Sequence, residues 1–252
     1  PSFQAGFGKL PSGAKEFEVE LPDNPHGKIV KAADFGFSEF AADNVEALNR
    51  AIEHCRKIKA ARLELSPGEF RMTIDWPVLM DGLCDFELDG KGASLIYQKK
   101  QRSNFRVLNC KRVAIRNLNM DWDWERDPLG SVARVEQKKD GFIDFCFFEY
   151  DRFPRRDIRI LGVSGYDAKT GSVGIEDGLD IDLGQRGLKW ISDNVLRVET
   201  DAPLEAGELY RLKHYNYDMN GFEMEDNHHL TFEDINVHGA AGHAFCVQGH
   251  QQ

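Results

Sequence analysis

Six apolar positions recur at a single offset. Phe105, Val107, Val113, Ile115, Leu118 and Met120 are answered, each 117 residues later, by Phe222, Met224, Leu230, Phe232, Ile235 and Val237. A less complete copy runs Val78, Met80, Phe86, Leu88, and another begins at Phe245 and Val247. Each copy holds an apolar pair two residues apart, a polar corner and a second such pair. Spacing of two is the period of a strand with one face buried. From Val78 to Phe105 is 27 residues and from Phe222 to Phe245 is 23. Short strands repeating at that interval describe coils that bury their inward residues only by stacking on one another. The corners, Asn109-Cys110-Lys111-Arg112 and Asp226-Asn227-His228-His229, carry Asn and Asp, which tolerate a left-handed backbone. The expected fold is all-β: a right-handed parallel β-helix.

Taken in order, residues 1–28 read as an N-terminal arm, rich in Gly and Pro. Residues 29–124 read as the first part of the β-helix with its N-terminal cap. The cap contains a helix that begins at Asp43, with Glu46 completing a capping box and Val45, Leu48, Ile52 and Cys55 on one face. Arg62–Leu65 then reads as a strand and Ser66-Pro67-Gly68-Glu69 as a turn into Phe70. Residues 125–215 lack the repeat and alternate over longer strands, with hairpin signals at Lys138–Gly141 and Ala168–Gly171. Val195–Val198 and Leu209–Leu212 read as a further pair. This is an inserted antiparallel, barrel-like β domain, with a core expected on Ile143, Phe145, Phe147, Ile158, Ile160 and Leu196. Residues 216–252 resume the β-helix, and the chain stops in mid-coil, so the native protein is expected to continue past Gln252.

The net charge of −10 and the lack of a basic face argue against nucleic acid as a partner. No run of 18 apolar residues exists, so nothing reads as a transmembrane helix. Five cysteines without a CxxC indicate neither a disulfide framework nor a zinc site, and Cys84, Cys110 and Cys246 read as packing residues. No metal and no cofactor is expected.

Chemistry-bearing residues gather at the two ends of the insertion. Asp121 and Asp123 follow the inward Met120 and would share the outward face, about 7 Å apart along a strand. They suit an acid and base on a glycosidic bond, a calcium site, or a corner in which carboxylates cap backbone amides. His214, Tyr217 and Asp218 lie where the chain re-enters the coils. Aromatic rings, imidazole and carboxylate there suit a sugar, or the tyrosines fill a seam. His243, among small residues, is a ligand-bonding group or a solvated turn residue. The working cleft is expected where the insertion meets the coils, near these residues and Asp121 and Asp123. Glu223, Glu225 and Glu233 read as the solvated face of a coil.

Asp34-Phe35-Gly36, the amphipathic helix and Leu65-x-Pro67-Gly68-x-Phe70 resemble the N-terminal cap of the pectate-lyase-like right-handed β-helix superfamily. Leu118-x-Met120-Asp121-Trp122-Asp123, the insertion, His214-Tyr215-x-Tyr217 and Gly242-x-Ala244-Phe245 look more narrowly like family-110 glycoside hydrolases and their relatives. That resemblance implies a metal-free, inverting hydrolase of terminal α-1,3-linked galactose. The chain departs from the family pattern at Trp124–Ser131, and the family's catalytic aspartates, which come from later coils, have no match here. The expectation is a secreted or periplasmic glycoside hydrolase with a carbohydrate substrate. A polysaccharide lyase and a non-catalytic carbohydrate-binding β-helix are the alternatives. The oligomeric state is not legible.

Overall fold

Of the residues expected to face inward, Val78, Met80, Phe86, Leu88, Phe105, Val107, Val113, Ile115, Leu118, Met120, Phe222 and Met224 are buried, and Leu230, Phe232, Ile235 and Val237 are partly so. The computed structural model describes residues 2–3, 18–98, 102–147, 154, 156–174, 178–215 and 219–249. The chain is mostly β, with parallel and antiparallel sheets and one α-helix, Val45–Ile58. It divides into two units, one of Pro1–Asp121 with Tyr217–Gln252 and one of Trp122–Asn216.

Among the described residues the first unit holds two parallel sheets, beside a two-stranded antiparallel ladder of Ser2–Phe3 with Val19–Glu20. Four strands lie in the order Phe245–Gln248, Phe222–Glu225, Phe105–Leu108, Val78–Asp81, all parallel. Phe105 pairs with Phe222 and Val107 with Met224, the predicted offset. Val78 and Phe245 extend the first column, and Met80 and Val247 the second. The other sheet runs His228–Val237, Lys111–Trp122, Cys84–Tyr97, Arg62–Glu64, Ile29–Lys31, with Gly68–Met72 also on Cys84–Tyr97. There Leu230, Phe232, Ile235 and Val237 pair in parallel with Val113, Ile115, Leu118 and Met120. The Phe222 ring sits 5.0 Å from Phe105 and 5.3 Å from Phe245, stacked on both. Phe105, Val107, Phe222 and Met224 are buried, whereas Phe245 and Val247, last in their columns, are exposed.

Corners repeat as faithfully as strands. Gly82, Asn109, Asp226 and Gly249 each directly follow one strand of the four-stranded sheet in a left-handed backbone, with φ of 66°, 52°, 53° and 71°. Asp85, Arg112 and His229 form a second left-handed column, and Asn117 and Asp234 a third. Glycine fits such a position without cost, and Asn and Asp are the side chains that tolerate it best. Next to the first column, buried Asn227 accepts from the Cys110 N–H at 2.9 Å and donates to the Val107 carbonyl at 2.7 Å. Outward residues of the six-stranded sheet alternate in sign from strand to strand. Arg62 lies 3.1 Å from Glu87, and Arg116 lies 3.9 Å from Glu87 and 3.0 Å from Glu233.

The helix buries Val45, Leu48, Ile52 and Cys55, as its periodicity predicts. Its start differs from expectation: Asn44, not Asp43, is the capping position, and no capping box with Glu46 forms. Asp43 instead accepts from the backbone of Val45, Thr73 and Ile74, tying the helix to the chain after Gly68–Met72. Asn49, on the helix, donates to the Pro77 carbonyl and accepts from the Leu79 N–H, occupying the free edge of Val78–Asp81.

The second unit is a seven-stranded antiparallel sheet. Its order is Ser172–Val173, Gly162–Asp167, Leu209–Lys213, Gly130–Lys139, Phe142–Cys146, Val195–Glu199, Gly187–Trp190. Its core contains all six predicted residues, Ile143, Phe145, Phe147, Ile158, Ile160 and Leu196, joined by others such as Val135, Val198 and Leu212. Three expectations are corrected. Val195–Glu199 does not pair with Leu209–Lys213; the first lies between Phe142–Cys146 and Gly187–Trp190, the second between Gly130–Lys139 and Gly162–Asp167. The strand expected from Ile158 begins at Gly162, so Ile158 and Ile160 reach the core from a loop. Among the described residues the sheet is an open path rather than a closed barrel.

Candidate functional site

Asp121 and His243 belong to the first unit, and Asp123 and His214 to the second. Asp121 is the penultimate residue of Lys111–Trp122 and is half-buried. Asp123 is off the strand, in a turn, and its carboxylate is turned onto Arg126. It accepts from the Arg126 N–H at 3.0 Å and lies 3.0 Å from the guanidinium. Asp123 is buried, and its carbonyl accepts from the Asp127 N–H, so it closes the turn of residues 123–127. The expectation that Asp121 and Asp123 share one strand face is therefore corrected. Asp123 is a corner carboxylate that caps the Arg126 backbone amide.

In the second unit His214 is held on both sides of its ring. Nδ1 is 3.1 Å from the Arg159 carbonyl and Nε2 is 3.0 Å from Ser131 Oγ. A carbonyl only accepts, so Nδ1 carries the proton, and in the neutral ring Nε2 accepts from the Ser131 hydroxyl. Ser131 is buried, and the His214 N–H bonds the Leu129 carbonyl. The imidazole joins two segments of its own unit. Tyr217 and Asp218 lie outside the described residues.

His243, in the first unit, is exposed. Its backbone N–H donates to Oδ1 of buried Asn220 at 3.2 Å, and its ring Nδ1 lies 3.1 Å from the same oxygen. The backbone contact fixes that atom as the acceptor, so Nδ1 carries a proton and Nε2 is the acceptor of the neutral ring.

Sequence reasoning passed over a network on the outward face of the four-stranded sheet. Glu223 accepts from Ser103 Oγ at 2.6 Å and from Arg106 Nε at 3.1 Å. Arg106 also lies 3.7 Å from Glu225, two residues along the same strand and side. Glu223 is well shielded and Glu225 is more open. A signal for it was available: Arg106 and Glu223 are opposite charges at equivalent positions of the repeat, and so are Arg116 and Glu233.

Other groups carry less chemistry. Burial pushes the Cys55 thiol up to about 12 and Cys110 up to about 11, so neither is a thiolate near neutral pH. Cys84, expected as packing, is exposed, with its thiol 3.2 Å from Asp85. A concavity of 360 Å³ borders Pro22, Asn24, Arg62, Asp85 and Glu87, but Asp85 is paired with Arg112 and Glu87 with Arg62. Among the described residues no group of three or more His, Cys, Asp and Glu gathers as metal ligands would, and no helix is long and apolar enough to cross a membrane. Comparison with family models and with curated proteins finds no match.

Proposed function

We propose that this chain is a carbohydrate-active protein, a glycoside hydrolase built on a right-handed parallel β-helix, and that it takes its glycan on the outward face of the four-stranded sheet. The fold reading is supported by in-register columns in two parallel sheets and by corners that turn left-handed at the same place in each level. The functional reading is carried by one observation: Glu223 and Glu225 share a face of a rigid strand, with Arg106 and Ser103 fixing Glu223. Residues two apart on a strand are about 7 Å apart. That backbone spacing allows the roughly 6.5–9.5 Å between carboxyl groups that leaves room for water in an inverting glycosidase. Glu223, oriented by two donors, is placed to activate the water. Glu225, more exposed, is placed to protonate the leaving oxygen. In this reading Asp123, paired with Arg126, closes a turn and Glu223 and Glu225 carry the chemistry.

One feature favours a non-catalytic glycan-binding protein instead. Arg106 reaches both carboxylates, so the pair is already engaged in an ion pair across the strands, as outward charges are on the other sheet. Release of reducing ends from a panel of soluble glycans, read beside ultraviolet absorbance for unsaturated products and beside binding, separates the readings. Hydrolysis predicts new reducing ends without unsaturation, and a loss of about 100-fold or more in Glu223→Gln and Glu225→Gln. Binding without release supports the non-catalytic reading. Neither binding nor release overturns both.

A further inference from the structure

The residues two places before each strand of the four-stranded sheet form a row. They are Trp76 before Val78, Ser103 before Phe105, Asn220 before Phe222 and His243 before Phe245. The row holds together across levels. Asn104 N–H donates to the Asn220 carbonyl, Phe105 N–H to Gly221, Gly221 N–H to the His243 carbonyl and Phe222 N–H to Ala244. Asn220 Oδ1 meets both the backbone and the ring of His243. At one end Trp76 is 50% exposed, with the Arg102 guanidinium 5.0 Å from its ring centroid. At the other end His243 is exposed, with Nε2 as the acceptor of its neutral ring. Between them Ser103 and Asn220 are buried, so the two ends, rather than the middle, offer side-chain surface.

We infer that this row is a line of saccharide subsites, with a sugar ring stacked on Trp76 and the far end of the same glycan hydrogen-bonded by His243. Four levels at the strand spacing of about 4.8 Å make the row about 14 Å long. The ligand is therefore a linear oligosaccharide lying across the strands, its repeat close to one level. The chemistry selects a sugar. A half-exposed indole receives the apolar face of a pyranose, whereas Arg102, which donates only, and the His243 Nε2 acceptor together match hydroxyls, which do both. The net charge of −10 disfavours polyanions. The row runs along the edge of the sheet whose outward face holds Ser103, Arg106, Glu223 and Glu225, and Ser103 belongs to both. The inference rests on the carbohydrate reading above and adds where, and along which axis, the glycan lies.

Affinity electrophoresis of the whole chain through gels containing galactan, xylan, glucomannan or polygalacturonate tests it. Wild type should be retarded by at least one of the neutral polymers. On that polymer Trp76→Ala should weaken binding about tenfold and Trp76→Phe much less, because the ring keeps its stacking face. His243→Ala should weaken it about threefold, one hydrogen bond's worth. Phe40→Ala, an exposed aromatic on the loop before the helix, should leave it unchanged. Thermal melts check that each variant is folded. If wild type is retarded but the Trp76 and His243 variants match it, or Phe40→Ala loses as much, the row is not the site and the carbohydrate reading survives. If no polymer retards wild type, both fall.

Discussion

At the scale of single residues, the corner column Asp85, Arg112, His229 shows electrostatics that the repeat imposes. Arg112 sits one level from Asp85, and its guanidinium bonds both carboxylate oxygens, at 2.5 and 2.7 Å. That bond, the largest cause, holds the Asp85 carboxyl down at about 2 against an ordinary 3.8, with partial burial opposing it. A carboxyl lowered by folding adds stability above its unfolded value, and that contribution is lost as pH falls toward the folded one. Both side chains are about one-fifth exposed, so screening trims the contribution to ~1–2 kcal/mol. Arg112→Ala should therefore destabilise the chain at pH 7, and the difference from wild type should shrink between about pH 4 and pH 2. Denaturant melts across that range check it; a gap independent of pH would assign the loss to packing. Residue chemistry of this kind was partly legible. His243 was readable as a polar residue in a small-residue corner, but not its bond to Asn220, which depends on a neighbouring level. For Asp123 the corner reading stood beside the catalytic one, because an aspartate three residues before an arginine looks alike on paper whether it faces a ligand or closes its own turn.

For the elements, what could be read was what period and offset encode. Inward positions and their partners in the parallel sheets followed from the 117-residue repeat, since only one register stacks apolar on apolar. The antiparallel strands could be recognised but not ordered. Alternation marks Val195–Glu199 and Leu209–Lys213 as strands without naming a partner, and nearness in sequence suggested the wrong one. The corners supply a test of the repeat itself. Gly82 occupies a place where the next level has Asn109, its φ is 66°, and a Cβ added there would meet nothing within 4 Å. Gly82→Asn should cost less than about 1 kcal/mol, and Gly82→Val about 1–3 kcal/mol, since a β-branched side chain resists that backbone. Equal losses in chemical denaturation would mean that the corner is not governed by backbone conformation.

Across the whole molecule, the division at Asp121 and Trp122 follows a change in how the chain buries its apolar residues, from columns shared between levels to a core of its own. Residues 122–216 gather Ala133, Val135, Ile143, Phe145, Phe147, Leu196, Leu204 and Leu212 into one buried cluster. Expressed alone, this segment should fold, giving dispersed amide resonances and a cooperative melt, and Phe145→Ala in it should cost about 3–5 kcal/mol. A collapsed amide spectrum would show that its core depends on the rest of the chain. The insertion also sets an order of events in time. Phe105 and Phe222 are neighbours in the sheet but 117 residues apart, whereas Val78 and Phe105 are separated by 27. Closing the longer loop costs only about 1.3 kcal/mol more in chain entropy, by the logarithmic dependence on length. The search for that contact is nonetheless the less local one. Val78 on Phe105, and Phe222 on Phe245, are contacts that short stretches find unaided. By contact locality the stack of Phe105 on Phe222 is the seam expected to close last, joining two ladders formed earlier.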